Sequence, residues 1–381
     1  MSQFELVSER HITQFGTKPE QIIHGPGRVN LIGDHTDYND GFVLPAAINF
    51  GTDIAATKRD DRIVRVLAVD CNNETVEFSL DDIHFDENKM WVNYIGGTLL
   101  ALMKAYPNIT GADLVVTGNV PQGAGLSSSA SFEIAILKTF AGLNSIELDG
   151  IEAALMGQHA ENNFVGCNCG IMDQLISALG KENNAMLLDC RSLTFQHAPI
   201  PEDMALLIVN SNVKRGLVDS EYNTRREQCE TVARYFNKKA LRDVTLKQLL
   251  AAENELGAEL VKRAKHVITE NTRTESALTA LQNNDMLKMS ELMAQSHNSL
   301  KDNFEISTPE IDYLVEIIGA EIGSKGGVRM TGGGFGGCVI ALTPKYLVEQ
   351  IKQKIDATYQ QQTGLKEEIY VCVATKGAFN R

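Results

Sequence analysis

The segment with the most chemical character covers residues 121–131 and reads PQGAGLSSSAS. Its glycines, Gly123 and Gly125, permit positive φ angles and let a ligand approach the backbone closely. Three serines follow at the predicted start of a helix, where backbone N–H groups have no helical acceptor. A helix N-terminus of this kind binds phosphate groups. The segment therefore predicts either a phosphate-binding loop or a glycine turn capped by serines, and its residue types alone favour neither.

Two widespread phosphate motifs do not fit this loop. The Walker pattern requires a lysine before its serine or threonine, and the loop contains no lysine. The dinucleotide fingerprint requires a third glycine where Ser128 stands. A phosphate bound here would therefore depend on backbone amides, serine hydroxyls and a metal ion.

Hydrogen-bonding side chains are concentrated in residues 26–38, PGRVNLIGDHTDY. Arg28, Asp34, His35 and Asp37 fall within this short span, among glycines. A polyhydroxylated ligand requires such an array, because each buried hydroxyl needs a donor or an acceptor. The alternative is a solvated loop of salt bridges.

Two carboxylates, Glu161 and Asp173, lie among small and apolar residues in the segment 161–174, ENNFVGCNCGIMDQ. A buried carboxylate is costly unless a cation, a metal ion or hydrogen-bond donors pair with it. Arg28 is a candidate partner. The alternative is that both acids lie on helix surfaces, which is the common position for Asp and Glu.

Residues 331–337, TGGGFGG, contain five glycines between two predicted strands. Few side chains are left to pack, so the pattern fits a close approach of the backbone to a ligand. A flexible hairpin connection is the other interpretation.

The elements that must position these segments are predicted from hydrophobic periodicity. A strand is expected at 112–120 before the glycine-serine loop, and a helix at 129–143 after it. The other expected strands are 52–56, 63–69, a pair formed by 185–188 and 205–209, 327–330, 338–342 and 369–374. Helices are expected at 91–105, 151–164 and 170–179, and the stretch 221–304 is expected to be largely helical.

The length of 381 residues exceeds one ordinary core, so we expect two domains, 1–200 and 201–381. A hydrophobic content of 43% and a charged content of 22% are typical of a soluble globular protein. The net charge of −14 argues against nucleic acid and anionic membranes as partners.

Neither an export signal nor a membrane span is expected. The N-terminal residues lack the apolar core of a signal peptide, and no apolar stretch is long enough to cross a bilayer. The seven cysteines are odd in number and scattered, which favours reduced thiols in the cytoplasm. Cys167 and Cys169 form C-x-C, which does not match the paired spacing of a zinc site.

Five segments, in matching order, resemble the GHMP small-molecule kinases and, within them, the galactokinase family. They are PGRVNLIGDHTDY, similar to the N-terminal signature; PQGAGLSSSAS, similar to the ATP loop; CGIMDQ; SEYNTRREQC; and MTGGGFGGC, similar to the third motif. The resemblance extends from about residue 25 to the last strand. It implies an α/β (α+β) fold of two domains with the active site between them. The N-terminal domain would be ribosomal-protein-S5-domain-2-like and the C-terminal domain ferredoxin-like.

The resemblance further implies transfer of the γ-phosphoryl group of ATP to the C1 hydroxyl of D-galactose. It assigns to Asp173 the acceptance of the C1 hydroxyl proton, and to Arg28 the stabilisation of the charge that develops. Asp173 acting only to orient the hydroxyl, while Arg28 lowers the pKa of the attacking oxygen, is equally compatible. The positions that match sugar-binding residues are Asp34, His35, Thr36, Asp37, Gly170 and Tyr222.

The nucleotide and a magnesium ion are assigned to the loop and its neighbours in the same way. The triphosphate cradle comprises Gly123, Ala124, Gly125, Leu126, Ser127, Ser128 and Ser129. Ser129 and Glu161 match the ligands of Mg²⁺, which takes its remaining oxygens from phosphates and water. Trp91 and Tyr94 match residues near the adenine.

Two positions depart from the family pattern. Asp34 replaces the usual glutamate, and Gly25 stands where alanine is common. The shorter carboxylate keeps the charge but withdraws it by one methylene, roughly 1.5 Å at ordinary bond lengths. The departure puts the role of Asp34 in question more than the class of sugar.

Two other functions fit the same motifs. A kinase for N-acetylgalactosamine or another monosaccharide would differ in the volume of the pocket at C2. A non-catalytic regulator that binds sugar and ATP would lack residues in the serine-alanine part of the loop, and Ser129 and Ala130 are both present. A monomeric cytoplasmic enzyme is the expectation.

Overall fold

The computed structural model of the chain describes residues 2–121, 124–213 and 218–380. Its strands are β1 (Gln21–Asn30), β2 (Phe42–Val43), β3 (Pro45–Lys58), β4 (Ile63–Ala68), β5 (Glu74–Ser79), β6 (Ala112–Gly118), β7 (Asn184–Asp189), β8 (Phe195–Pro199), β9 (Met204–Asn210), β10 (Gly327–Thr331), β11 (Cys338–Pro344) and β12 (Glu368–Cys372). Its α-helices are α1 (Gln3–Phe15), α2 (Met90–Ala105), α3 (Ser128–Leu143), α4 (Gly150–Ala160), α5 (Met172–Leu179), α6 (Val218–Tyr235), α7 (Leu246–Ala251), α8 (Glu253–Leu256), α9 (Ala258–Gln282), α10 (Met286–Ser299), α11 (Pro309–Ile322) and α12 (Val348–Thr363). A π-helical turn, Glu161–Val165, continues α4.

The first sheet has the strand order β1-β3-β6-β4-β5, with β4 and β6 parallel and the other neighbours antiparallel. Helix α3 packs directly on β1, because Gly25 leaves no side chain between them. A Cβ atom at that position would lie 2.3 Å from the carbonyl oxygen of Ser131. The apolar core on this side includes Ile54, Ile134 and Phe140, which are fully buried. This packing sets the start of α3 beside β1.

An irregularity in β1 connects that strand to the glycine-serine loop. The pairing of β1 with β3 shifts in register between Pro26 and Arg28. The amide of Arg28 donates to the carbonyl oxygen of Leu126 at 3.1 Å. The hydroxyl of Ser177, on α5, donates to the carbonyl oxygen of Pro26 at 2.7 Å. The loop, β1 and α5 therefore meet at one point of the fold.

The second sheet is antiparallel and has the order β10-β11-β9-β12. One of its faces is covered by helices of the second half, around buried residues that include Leu207, Phe304 and Tyr359. Its other face contributes Ile208 and Ile340 to a core that also contains residues of the first half, among them Val29, Leu31, Ile32 and Ile48. The two halves of the chain therefore share an apolar core.

One predicted strand pairing is wrong. The strands expected at 185–188 and 205–209 exist as β7 and β9, but they lie in different sheets. β7 pairs with β2 and with β8, whose sequence FQHAP lacks the β-branched alternation by which strands are recognised. β9 is buried along its whole length and lies between β11 and β12. Such a strand belongs in the centre of a sheet that is covered on both faces.

The glycine-rich segment 331–337 connects two paired strands, since Thr331 of β10 lies opposite Cys338 of β11. Four of its glycines have positive φ angles between 80° and 112°, which explains their number. Across the described ranges, the helices include none with the length and apolar character needed to cross a bilayer.

Candidate active site

A cavity of about 770 Å³ is lined by residues from both halves of the chain. All four segments that the sequence singles out contribute to it, together with the start of α6. The lining residues that match predicted positions are Arg28, Asp34, His35, Asp37, Gly125, Leu126, Ser127, Ser128, Ser129, Glu161, Gly170, Asp173 and Tyr222. Gly332 and Gly333 complete the wall from the second half.

Arg28 and Asp173 form a bidentate ion pair in this cavity. Arg28 Nε donates to Asp173 Oδ1 at 2.7 Å, and Nη2 donates to Oδ2 at 2.8 Å. Arg28 Nη1 donates to the carbonyl oxygen of Gly125 at 2.5 Å, and the hydroxyl of Ser127 donates to Asp173 Oδ2. Burial alone would lower the pKa of Arg28, but the charge and hydrogen bonds of Asp173 raise it above its ordinary value. The guanidinium therefore stays charged at the end of the glycine-serine loop.

Asp37 lines the same cavity as Asp173, and its carboxylate lies against the backbone of Gly170. Desolvation, followed by the negative charge of Asp173, raises the pKa of Asp37 to about 6. A Cβ atom at position 170 would lie 1.9 Å from Asp37 Oδ2. The glycine is required because the backbone at 170 lies directly against this carboxylate.

His35 adopts a left-handed backbone conformation, with φ of 64°, in the segment after β1. Its Nδ1 atom lies 2.8 Å from the hydroxyl of Tyr38, and its ring contacts those of Phe304 and Tyr222 at centroid distances of 4.7 and 5.3 Å. Burial lowers the pKa of His35 to about 3, so the imidazole is neutral. Its Nε2 atom has no hydrogen-bond partner within the described part of the protein.

Asp34 and Thr36, two of the predicted sugar positions, form hydrogen bonds that hold the sugar segment in place. The Asp34 carboxylate accepts from Asn30 Nδ2 at 2.9 Å and from Arg329 Nη2. Thr36 is fully buried and does not line the cavity. Its hydroxyl lies 2.7 and 2.6 Å from the carbonyl oxygens of Gly33 and Phe42, so it stabilises the turn that carries its neighbours.

The glycine-serine loop ends at the N-terminus of α3. Gly123 lies outside the described residues, and Ala124 is fully buried without lining the cavity. Ser127 has a left-handed conformation, with φ of 60°, and gives α3 no side-chain cap. Its hydroxyl bonds to Asp173 instead. The first turn of α3 therefore presents backbone N–H groups beside the cavity without a capping side chain.

Ser129 and Glu161, the predicted metal ligands, lie side by side. Burial raises the pKa of Glu161, and a hydrogen bond from Ser129 opposes that shift. Glu161 Oε2 also accepts from Gln174 Nε2 at 2.7 Å. A hydroxyl and a carboxylate beside a phosphate-binding helix terminus are oxygen donors of the kind Mg²⁺ takes, so these residues fit the ion. In the described ranges, no group of three or more His, Cys, Asp and Glu side chains is arranged to hold a metal ion.

Glu133 is a polar residue of this region that the motifs do not identify. It is fully buried one turn into α3, and its Oε2 atom accepts from Gln174 Nε2 at 3.0 Å. Burial, followed by the charge of Glu161, raises the pKa of Glu133 well above its ordinary value. Its signal in the sequence is an acidic residue between Phe132 and Ile134, in the apolar middle part of the helix.

Trp91 lies in a smaller cavity of about 270 Å³ next to the first one. Both cavities are lined by Tyr94, Ser128 and Ser129. The indole nitrogen of Trp91 donates to Glu74 Oε2 at 3.1 Å. The start of α3 thus separates a polar cavity from a smaller one that contains an indole ring.

Three family models match successive parts of the chain. They are the galactokinase galactose-binding signature over residues 9–58, the N-terminal domain of GHMP kinases over 93–181, and their C-terminal domain over 277–361. The first and second models cover the sugar segment and the glycine-serine loop that were identified from the sequence.

Solved structures agree with these matches. The galactokinase of Lactococcus lactis, solved in complex with galactose, is 32% identical, with 99% of each chain covered and a TM-score of 0.92. The mevalonate kinase of Methanococcus jannaschii is 21% identical, with 93% of this chain and 98% of the other covered, and a TM-score of 0.67. The homoserine kinase of Cytophaga hutchinsonii is 14% identical, with 94% and 95% covered and a TM-score of 0.60. The last two are similar in fold alone.

The predicted fold class and family are confirmed by these matches. Two-domain GHMP kinases combine mixed sheets and helices as this chain does. Within the GHMP kinases, the 32% identity to a galactokinase over 99% of both chains shows that the chain is related to the galactokinases. The chain therefore belongs to the galactokinase family of GHMP kinases and is an ATP-dependent sugar kinase.

Proposed function

We propose that the protein transfers the γ-phosphoryl group of ATP to the C1 hydroxyl of D-galactose, giving galactose 1-phosphate and ADP. The observation that carries this proposal is the bidentate pair of Arg28 and Asp173, which lies between the sugar segment and the N-terminus of α3. Phosphoryl transfer depends mainly on positioning and on charge neutralisation. The pair supplies one charge of each sign where the two substrates would meet.

The sugar is proposed to bind at the wall that contains Asp34, His35, Asp37, Gly170 and Tyr222. This wall offers acceptors and a neutral imidazole, and Tyr222 adds an aromatic surface. Such a combination suits the hydroxyls and the C–H face of a pyranose. Thr36 acts indirectly, through the turn that it stabilises.

The nucleotide is proposed to bind along the start of α3, with its phosphates at residues 125–129 and its base toward Trp91 and Tyr94. Ser129 and Glu161 would hold Mg²⁺. When bound, that ion supplies positive charge that neutralises the triphosphate, which the loop cannot do without a lysine.

We infer that Asp173 orients the C1 hydroxyl more than it takes up its proton. A carboxylate has about four acceptor sites. Arg28 occupies one on each oxygen and Ser127 a second on Oδ2, which leaves one on Oδ1 for the sugar. Three hydrogen bonds from the protein fix the position of the carboxylate, so that its free acceptor site can hold the sugar hydroxyl in one direction. The charge of Arg28 then stabilises the oxygen as it loses its proton.

The cellular setting and assembly are part of the proposal. The described residues contain no disulfide, which supports a reducing, cytoplasmic compartment. A monomer whose domains are 1–200 and 201–381 is consistent with a cavity that one chain completes from both halves.

A panel of monosaccharides tests the proposed function. Purified protein with Mg²⁺ and ATP should consume ATP with the highest kcat/KM on D-galactose. Faster turnover of N-acetylgalactosamine would assign the enzyme to that sugar instead. Saturable binding of galactose and ATP without any turnover would indicate a non-catalytic regulator.

A further inference from the structure

A buried arginine in the second half of the chain touches the sugar segment of the first half. Arg329 lies in the middle of β10 and is fully inaccessible to solvent. Its Nη1 atom donates to the carbonyl oxygen of Leu31 at 3.1 Å and lies 3.4 Å from that of Asn30. Its Nη2 atom donates to Asp34 Oδ2. A buried guanidinium is costly unless it is paired, so its partners determine where it lies.

Other side chains of the second half hold the main chain of the same segment. Glu270 Oε1 accepts from the amide of Gly33 at 3.0 Å, and His266 Nε2 donates to the carbonyl oxygen of Asp34 at 3.2 Å. The hydroxyl of Thr331 donates to the carbonyl oxygen of Asn30 at 3.0 Å. These contacts reach the backbone alone, whereas Arg329 also binds the Asp34 carboxylate, which lines the cavity.

The Asp34 carboxylate is held from two sides. Asn30 Nδ2 donates to Oδ1 and Arg329 Nη2 donates to Oδ2. About two acceptor sites remain for a ligand. An aspartate at this position reaches about 1.5 Å less far than a glutamate would. The direction of its free acceptor sites is therefore set by Arg329 and Asn30 rather than by the side chain's own rotamers.

We propose that Arg329 is a positioning residue for the sugar site. It holds the carboxylate of Asp34 so that this group binds one particular hydroxyl of the sugar. The affinity for the sugar therefore depends on a residue of β10. The inference rests on the proposed sugar-binding function.

A double-mutant cycle measures whether Arg329 acts through Asp34. The dissociation constant for galactose is measured by calorimetry without nucleotide, for the wild type, Arg329→Met, Asp34→Asn and the double variant. Each single variant should bind about tenfold or more weakly, since hydrogen bonds to charged groups are of that strength. The dissociation constant of the double variant should not exceed the higher of the two single-variant values, because the two substitutions remove the same interaction.

Conservative and control variants separate positioning from stability. Arg329→Lys keeps the charge and should recover part of the lost affinity, and it replaces Arg329→Met in the cycle if that variant does not fold. Arg263→Met is the matched control, because Arg263 is also buried in the second half but binds Asn303 and Glu305, and none of these three residues lines the cavity. It should lower Tm and leave the galactose affinity as in the wild type.

Galactoses that lack one hydroxyl identify the group that Asp34 binds. The effect of Arg329→Met should vanish for one deoxy sugar and persist for the others. Equal losses on every sugar, or losses that add to those of Asp34→Asn, would overturn the positioning role. If the wild type prefers another sugar, the proposed substrate is wrong, and the cycle with that sugar still decides the role of Arg329.

Discussion

Three protein hydrogen bonds converge on the carboxylate of Asp173, two from Arg28 and one from Ser127. Asp113 carries a similar bidentate pair with Arg65, at 2.7 and 2.5 Å, and neither residue lines the cavity. The two pairs share their geometry and differ in position. Variants of Asp173 and of Asp113 therefore distinguish a role in the reaction from a role in the stability of the fold.

Asp173→Asn should lower kcat by about 10²-fold or more while galactose still binds, since it keeps the shape of the side chain but removes the charge that orients the hydroxyl. Asp113→Asn should lower Tm and leave kcat unchanged. Steady-state kinetics and calorimetric binding test both variants. A kcat for Asp173→Asn close to that of the wild type would exclude Asp173 from the reaction.

The raised pKa of Asp37 predicts that kcat/KM for the sugar depends on pH. Its pKa is raised to about 6, so it loses its charge as the pH falls through 6. The ionised form accepts the stronger hydrogen bonds from sugar hydroxyls, so kcat/KM should decline below about pH 6. Because the raised pKa penalises the ionised form, the free protein should lose stability as the pH rises from 3.8 toward 6. Asp37→Asn should remove both effects, and a decline that persists in this variant would assign it to another group.

The sequence motifs identify some residues of the site and leave others out. Arg28 and Asp173 stand in motifs whose residue types suit phosphoryl transfer, and the sequence indicates Arg28 as a candidate partner of Asp173. Arg329 was not identified, because its partners lie 295 to 299 positions earlier and nothing in GGVRMT distinguishes it. Glu133 was missed for the same reason, since its importance arises from burial next to Gln174.

At the scale of elements, the position of the glycine-serine loop depends on the contact between α3 and β1. Gly25 makes this contact possible, since a Cβ atom there would meet the Ser131 carbonyl oxygen at 2.3 Å. A methyl group at this position does not fit between β1 and α3 without a shift of one of them.

Gly25→Ala should destabilise the protein by roughly 1–3 kcal/mol through overpacking. Gly118→Ala, in β6 of the same sheet, is the matched control, because its nearest atom would be an ordinary 3.4 Å away. Both variants lose the same chain entropy in the unfolded state, so their difference in urea denaturation reports the clash. Equal stability of the two variants would contradict the packing described here.

Elements with strong periodicity were predicted well. The helix expected at 129–143 is α3, Ser128–Leu143, and the strand expected at 112–120 is β6, Ala112–Gly118. The pairing of β7 with β9 was wrong because β8 has no strand pattern of its own and forms through its contact with β7. Local patterns identify strands, whereas their neighbours are decided by contacts between distant parts of the chain.

At the scale of the whole molecule, the two halves share the core to which Leu31, Ile48, Ile208 and Ile340 belong. The chain end also returns to the first half, where Gly377 donates to the carbonyl oxygen of Gly180 at 2.7 Å. The proposed domains 1–200 and 201–381 are therefore joined by apolar packing as well as by the chain.

Residues 1–200 produced alone should not fold to the native state, because the apolar face that the second half covers would be exposed to water. Near-ultraviolet circular dichroism and hydrogen exchange should show no fixed tertiary structure, and co-expression with residues 201–381 should restore it. A stably folded fragment 1–200 would contradict the shared core.

The proposed activity predicts that the protein forms galactose 1-phosphate. ³¹P NMR of a reaction of the purified protein with Mg²⁺, ATP and D-galactose should show ADP and a phosphate ester on the anomeric oxygen. The Asp173→Asn variant should form this product at least about 10²-fold more slowly, because the C1 hydroxyl is no longer oriented. A phosphate on any other hydroxyl of the sugar, or no phosphate ester in the presence of bound galactose and ATP, would contradict the proposed reaction.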